Sequence, residues 1–115
     1  MRILICEPQA EVRELLVHVV ERLGHEPVFP ESRRGDALPG DVDVVLLEPA
    51  DPGARSAAET LLHQHEGIPV VCASIHPDSG QANGLRPLAY LVKPFGLAEL
   101  EQALTAAVES IAKAP

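Results

Sequence analysis

The sequence has no tryptophan, one tyrosine and two phenylalanines, Phe29 and Phe95. So few rings leave no stacking platform for single-stranded nucleic acid. Basic residues are scarce as well: nine lysines and arginines stand against seventeen aspartates and glutamates, a formal charge of −8. A surface of that sign repels both a phosphate backbone and an anionic bilayer, which argues against nucleic-acid and membrane partners. No long hydrophobic run is present. The N-terminal run Ile3-Leu4-Ile5-Cys6 stops at Glu7, too short for a secretory core or a membrane span, so a cytoplasmic location is expected. Two cysteines cannot build a disulfide framework. Both sit in apolar runs, Cys6 in ILIC and Cys72 in VVCA, and are read as reduced core residues.

What is present is regular. The chain has 115 residues, 46% of them hydrophobic, enough for one domain over 1–115 with one core. Ile3–Cys6 and Val42–Leu47 are continuous apolar runs, the mark of strands buried on both faces. Pro27–Phe29, Ile68–Ala73 and Ala89–Val92 are further strand candidates. Between them, Val12, Leu15, Leu16, Val19, Val20 and Leu23 recur at helical spacing before Gly24. Ala54, Ala57, Ala58, Leu61 and Leu62 do the same before Gly67, as do Leu100, Ala103, Leu104, Ala107, Val108 and Ile111 within 97–112. Residues 30–41 leave room for about two helical turns around Asp36-Ala37-Leu38. Residues 75–88 carry two prolines and two glycines, so the second and fourth helices are expected to be short or irregular. Strand and helix thus alternate five times. That order predicts a parallel sheet covered by helices on both faces, with the functional crevice at the carboxyl ends of the strands.

Three chemistries can be weighed at those ends. A phosphate cradle needs glycine-rich backbone and free N–H groups. The first loop, Glu7-Pro8-Gln9-Ala10-Glu11, has no glycine, two acids and a proline. A thiol nucleophile at Cys6 would need a phosphatase-type arginine after five intervening residues, where Val12 stands, and neighbouring Glu7 would raise a thiol pKa. The third is a carboxylate site: Glu7 and Glu48 end adjacent strands, with Ser74 and Lys93 beside them. Two carboxylates can hold a divalent cation, a lysine can neutralise them, and four unrelated loop residues in a polar crevice are the bland alternative. The histidines offer no ligand spacing: His63 and His65 point to different helix faces, and His18, His25 and His76 lie apart.

At these residues the chain resembles the receiver domain of bacterial two-component response regulators. The resemblance rests on RILICEPQAEVRELL, DVDVVLLEPADPG, IPVVCAS and AYLVKPF, and runs from Arg2 to about Ala112. It implies a flavodoxin-like (βα)5 three-layer sandwich with a five-stranded parallel sheet in the order 2-1-3-4-5. In that family an aspartate ending the third strand accepts a phosphoryl group from a histidine kinase, and an acidic pair after the first strand helps bind magnesium. A hydroxyl ending the fourth strand and a lysine ending the fifth contact the phosphoryl oxygens, and an aromatic on the fifth strand shifts with the hydroxyl. Carried over, Ser74 takes the hydroxyl position, Lys93 the lysine and Tyr90 the switch aromatic. Pro94 takes the proline, whose peptide bond is usually cis in this family.

The departures fall on the reacting groups. The phosphoacceptor position holds Glu48, and the acidic pair reads Glu7-Pro8, so its second acid is lost. None of the five aspartates, Asp36, Asp41, Asp43, Asp51 and Asp78, falls at these carboxyl strand ends. Glutamate carries its carboxylate about 1.3–1.5 Å further than aspartate, toward Lys93 and Ser74. In-line transfer depends on placement at that scale, and magnesium demands near-octahedral oxygen ligands. The expectation is a non-enzymatic pseudo-receiver without a cofactor, weak or devoid in magnesium binding, in which Glu48 pairs with Lys93. Its partner would be another signalling protein, a histidine kinase or an output protein, or a second copy of itself. No linker or second domain follows Pro115, so output would pass through that partner. Two other readings stay open: a working phosphorelay receiver with a non-standard acceptor, and a small-molecule-binding domain on the same fold.

Overall fold

The computed structural model describes residues 1–30, 42–65, 67–74 and 85–112. Five strands form one parallel sheet: β1 Arg2–Cys6, β2 Glu26–Val28, β3 Val44–Leu47, β4 Val70–Ser74 and β5 Ala89–Val92. Their order is β2-β1-β3-β4-β5, the order the resemblance implies. Three helices are described, α1 Ala10–Arg22, α2 Pro52–Gln64 and α3 Leu97–Ala112. The expected short second and fourth helices fall on 31–41 and 75–84, outside the described residues.

Strict alternation along each strand divides the core between two faces. Ile3 and Ile5, Val44 and Leu46, and Val71 and Ala73 point to one side, against Leu16, Val19 and Val20 of α1 and Leu100, Leu104 and Ala107 of α3. Leu4 and Cys6, Val45 and Leu47, and Val70 and Cys72 point to the other, against Ala54, Ala58 and Leu61 of α2. This two-sided burial explains why β1 and β3 read as unbroken apolar runs.

Local chemistry sets the helix ends. Helix α1 closes where Gly24 takes φ +86°, a conformation costly for a residue with a Cβ. The Gly24 N–H then donates to the Glu21 carbonyl and the His25 N–H to that of Val20, the paired bonds of a Schellman stop. Helix α2 starts with Asp51, whose Oδ2 accepts from the Ala54 N–H at 2.8 Å, and with Pro52 in the first turn, where a missing N–H costs nothing.

Strand limits differ slightly from the apolar runs. The third strand begins at Val44, because Asp43 turns its side chain back: its Oδ2 accepts from the Arg2 N–H at 2.8 Å. The fourth begins at Val70 and extends to Ser74. Pro69 has no N–H to donate, though its carbonyl accepts from Val45. The second strand is Glu26–Val28, and Phe29 beyond it is exposed.

Candidate functional site

The register builds the site. Cys6 pairs with Leu47 across β1 and β3, so the next residues, Glu7 and Glu48, emerge side by side. The Glu48 N–H donates to the Cys6 carbonyl at 3.0 Å, continuing the ladder into the site. Across β4 and β5, Ser74 pairs with Val92, and the Lys93 N–H donates to the Ser74 carbonyl at 2.7 Å. Four of the residues singled out in the sequence therefore meet at one end of the sheet.

Lys93 joins the two acids. Its Nζ lies 2.5 Å from Glu7 Oε1 and 3.6 Å from Glu48 Oε1. The expected Glu48–Lys93 pairing is thus the longer of two contacts, and Glu7 holds the ammonium more closely. Both acids are buried, Glu7 at 5% and Glu48 at 7% exposed, and Lys93 is mostly covered, its side chain 11% exposed. The second oxygen of each carboxylate folds back on its own loop. Glu7 Oε2 accepts from the Gln9 N–H at 3.1 Å and Glu48 Oε2 from the Ala50 N–H at 3.2 Å. These bonds fix both carboxylates from behind, so each presents Oε1 to the same ammonium. The Arg13 guanidinium, on the first turns of α1, donates to the Glu7 carbonyl at 3.1 Å and adds positive charge beside a pair of acids that outnumbers its lysine.

Pro8 is exposed and contributes no ligand atom by its side chain. Ser74 is fully buried at the end of β4. Tyr90 is partly buried, pairs with Cys72 in the ladder, and packs against the cluster on the α2 side of the sheet. The Lys93–Pro94 peptide bond is cis. Asp51, the acid nearest Glu48 in sequence, is spent on capping α2. Arg13 was not singled out in the sequence. Its position one turn into the helix after Glu7 is the signal that would have found it.

Cys6 and Cys72 are free thiols, both buried. Burial, and then the Asp51 carboxylate, push the Cys6 thiol up to about 12 from an ordinary 9.0. Glu7, expected from sequence to raise it, is turned toward Lys93 instead. A thiolate is therefore inaccessible at neutral pH. Native protein at pH 8 should not react with a disulfide reagent at either cysteine, while denatured protein should release two equivalents. The folded state holds this proton more tightly than the unfolded chain. Cys6 thus adds stability that is complete below pH 9 and lost as pH rises toward 12. A denaturation midpoint flat to pH 9 and falling above it would show this, with Cys6→Ala removing that part of the slope.

His63 and His65 are exposed, as is His18. His25 is drawn below its usual value by burial and by the nearby amino terminus, partly offset by Asp43. His76 lies outside the described residues.

The family described as flagellar regulatory protein FleQ matches residues 2–109 of the chain. No curated protein sequence matches it. Among solved structures, the chain is similar to the response regulatory domain of MrkE from Klebsiella pneumoniae, with 14% identity and a TM-score of 0.75, covering 99% of this chain and 100% of that one. It is similar to the non-phosphorylated HemR receiver domain from Leptospira biflexa, with 19% identity and a TM-score of 0.75, covering 93% of each. The response regulator TrrA from Thermotoga maritima, solved in complex with Mg(2+)-BeF, matches at 20% identity and a TM-score of 0.73, over 92% of this chain and 97% of that one. At these identities the likeness is one of fold: the chain has the receiver-domain architecture.

Proposed function

The chain belongs to the family of the flagellar regulatory protein FleQ, and on that premise we propose that it is a receiver-fold regulatory module that works without being phosphorylated. It has no enzymatic activity of its own and signals by contact with another protein, an output protein of flagellar regulation or a sensor kinase, or with a second copy of itself.

The observation that carries this reading is the ammonium of Lys93 set against both Glu7 and Glu48. A phosphoryl group arriving at Glu48 would need that lysine on its own oxygens. Here the lysine is already engaged, chiefly by an acid from another strand. Glu48 is itself a poor acceptor, because its longer side chain displaces the attacking oxygen by about an ångström from where an aspartate would hold it. The fold is kept, the negative charge of a phosphorylated acceptor is partly supplied by Glu48, and the interaction surface is set by the sequence alone.

Incubation with a small acyl-phosphate donor and Mg²⁺, followed by intact mass measurement, tests this. The expected spectrum is unchanged. A stoichiometric gain of one phosphoryl group mapped to Glu48 would overturn the proposal in favour of a working phosphorelay receiver.

A further inference from the structure

Receiver folds imply a magnesium ion, and the donor set here can be tested against it. Magnesium takes six oxygens at near-ideal octahedral angles and gives up water reluctantly, so a protein site offers it carboxylates whose oxygens face an open space. This chain offers two buried carboxylates, Glu7 and Glu48, and Pro8 stands where a third acid would be. All four carboxylate oxygens are already engaged: the two Oε1 atoms by Lys93 and the two Oε2 atoms by the Gln9 and Ala50 N–H groups. Among the described residues no buried side-chain polar atom lacks a partner. A divalent ion would have to enter a site already charge-paired and hydrogen-bonded, and expel an ammonium to do so. The residues present do not fit the ion.

We propose that Lys93 is the resident cation of this site: its ammonium, held chiefly by Glu7, supplies the positive charge that Glu7 and Glu48 would otherwise draw from a divalent ion, and removing it opens the two glutamates to such an ion. The inference rests on the reading of the chain as a receiver fold without phosphoryl chemistry, but goes further, because it assigns the loss of metal affinity to one side chain and not to the missing second acid alone.

The geometry supports each part. Both Oε1 atoms reach the same nitrogen, so they converge on one point, as ligands of a single cation must. The carboxylates are fixed from behind by backbone N–H groups that do not depend on Lys93, so their aim survives its removal. Lys93 follows directly on β5, and its own backbone N–H is held by the Ser74 carbonyl at 2.7 Å. Without it, two buried carboxylates stand together, and the Arg13 guanidinium beside them is bonded to the Glu7 carbonyl. Such a pair gains from any cation that enters, and oxygen ligands favour a hard divalent one.

The experiment compares wild type with Lys93→Gln, using Mn²⁺ and Mg²⁺ as the probes. Thermal unfolding is followed as each metal is raised to about 10 mM, above the 10⁻⁴–10⁻³ M range of weak oxygen-ligand sites. Wild type should show no saturable change in Tm. Lys93→Gln should start from a lower Tm and recover about 5 °C or more with saturation. Adding Glu7→Gln to that variant should abolish the recovery. A saturable metal response in wild type, or its absence in folded Lys93→Gln, overturns the inference. Should Lys93→Gln fail to fold without metal, folding on addition of Mn²⁺ counts for the inference, and failure with Mn²⁺ present counts against it. A second readout on single-acid variants separates the two acids: the Lys93 ammonium ¹H–¹⁵N signal should be slow-exchanging in wild type, persist in Glu48→Gln and be lost in Glu7→Gln. Loss in Glu48→Gln alone would contradict the assignment of Glu7 as holder. Wild type that binds metal yet stays unphosphorylated defeats this inference and leaves the proposed function standing. Phosphorylation of Glu48 defeats the proposed function itself.

Discussion

Replacing Lys93 with methionine should cost about 3–5 kcal/mol of stability, the usual penalty for stripping one partner from a buried ion pair. The reason is desolvation. Glu7 and Glu48 gave up water on folding and are 5% and 7% exposed; Lys93 is the cation that compensates them. Methionine keeps most of the stem volume but leaves two like charges side by side in a poorly solvated site. The midpoint of thermal unfolding should drop by roughly 10–20 °C for a chain of this size. The two glutamates should not behave alike. Glu7→Gln removes the acid at 2.5 Å and should recover only part of a wild-type Tm. Glu48→Gln removes the acid at 3.6 Å, leaves one carboxylate for one ammonium, and should stay within about 1 kcal/mol of wild type, because it also relieves an excess of buried negative charge. A Glu48→Gln variant as damaged as Lys93→Met would contradict the assignment of Glu7 as the principal partner.

Leu46→Ala should destabilise the domain by about 2–5 kcal/mol. Leu46 is fully buried in β3, which pairs with β1 on one side and β4 on the other. Its side chain faces the cluster that α1 and α3 close with Leu16, Leu100 and Leu104. The strand and both helices are constrained by neighbours on every side, so the void is slow to collapse, and cavity cost adds to lost transfer energy. Urea unfolding should show a lower midpoint with an unchanged slope. Leu15→Ala, on the outer part of α1 and 39% exposed, should shift stability by no more than about 0.5 kcal/mol. Comparable losses at both positions would mean that the apolar stripe of α1 was assigned to the wrong face.

The sequence carried the sheet well because its information is binary. Ile3–Cys6 and Val44–Leu47 are apolar at every position, which only a strand buried on both faces requires, and alternation with helical stripes then leaves few topologies. Strand limits were less legible. Whether Val42 or Val44 opens β3 depends on where Asp43 turns its carboxylate, and whether Ile68 or Val70 opens β4 depends on a proline without an N–H. The site was legible as a set: Glu7, Glu48, Ser74 and Lys93 follow strands that the parallel order brings together. What the sequence did not contain is the ranking of contacts inside it. Glu7 and Glu48 are chemically identical and lie in one row of the ladder, so the choice between them turns on ångström differences in two loops. Arg13 is marked in the sequence only by its place one turn into the helix after Glu7, because its partner there is a backbone carbonyl.

In the function proposed above, the crevice is closed to phosphoryl chemistry by its own lysine. The measurement that addresses it most directly is the ¹H–¹⁵N spectrum of the protein titrated with beryllofluoride and Mg²⁺ together, a stable stand-in for an acyl-phosphate. With Lys93 held by Glu7 and Glu48, the amides of Glu48, Ser74, Tyr90 and Lys93 should keep their positions through the titration. Saturable shifts of those four amides would show that the site opens to a phosphoryl group and its metal, and would contradict the account.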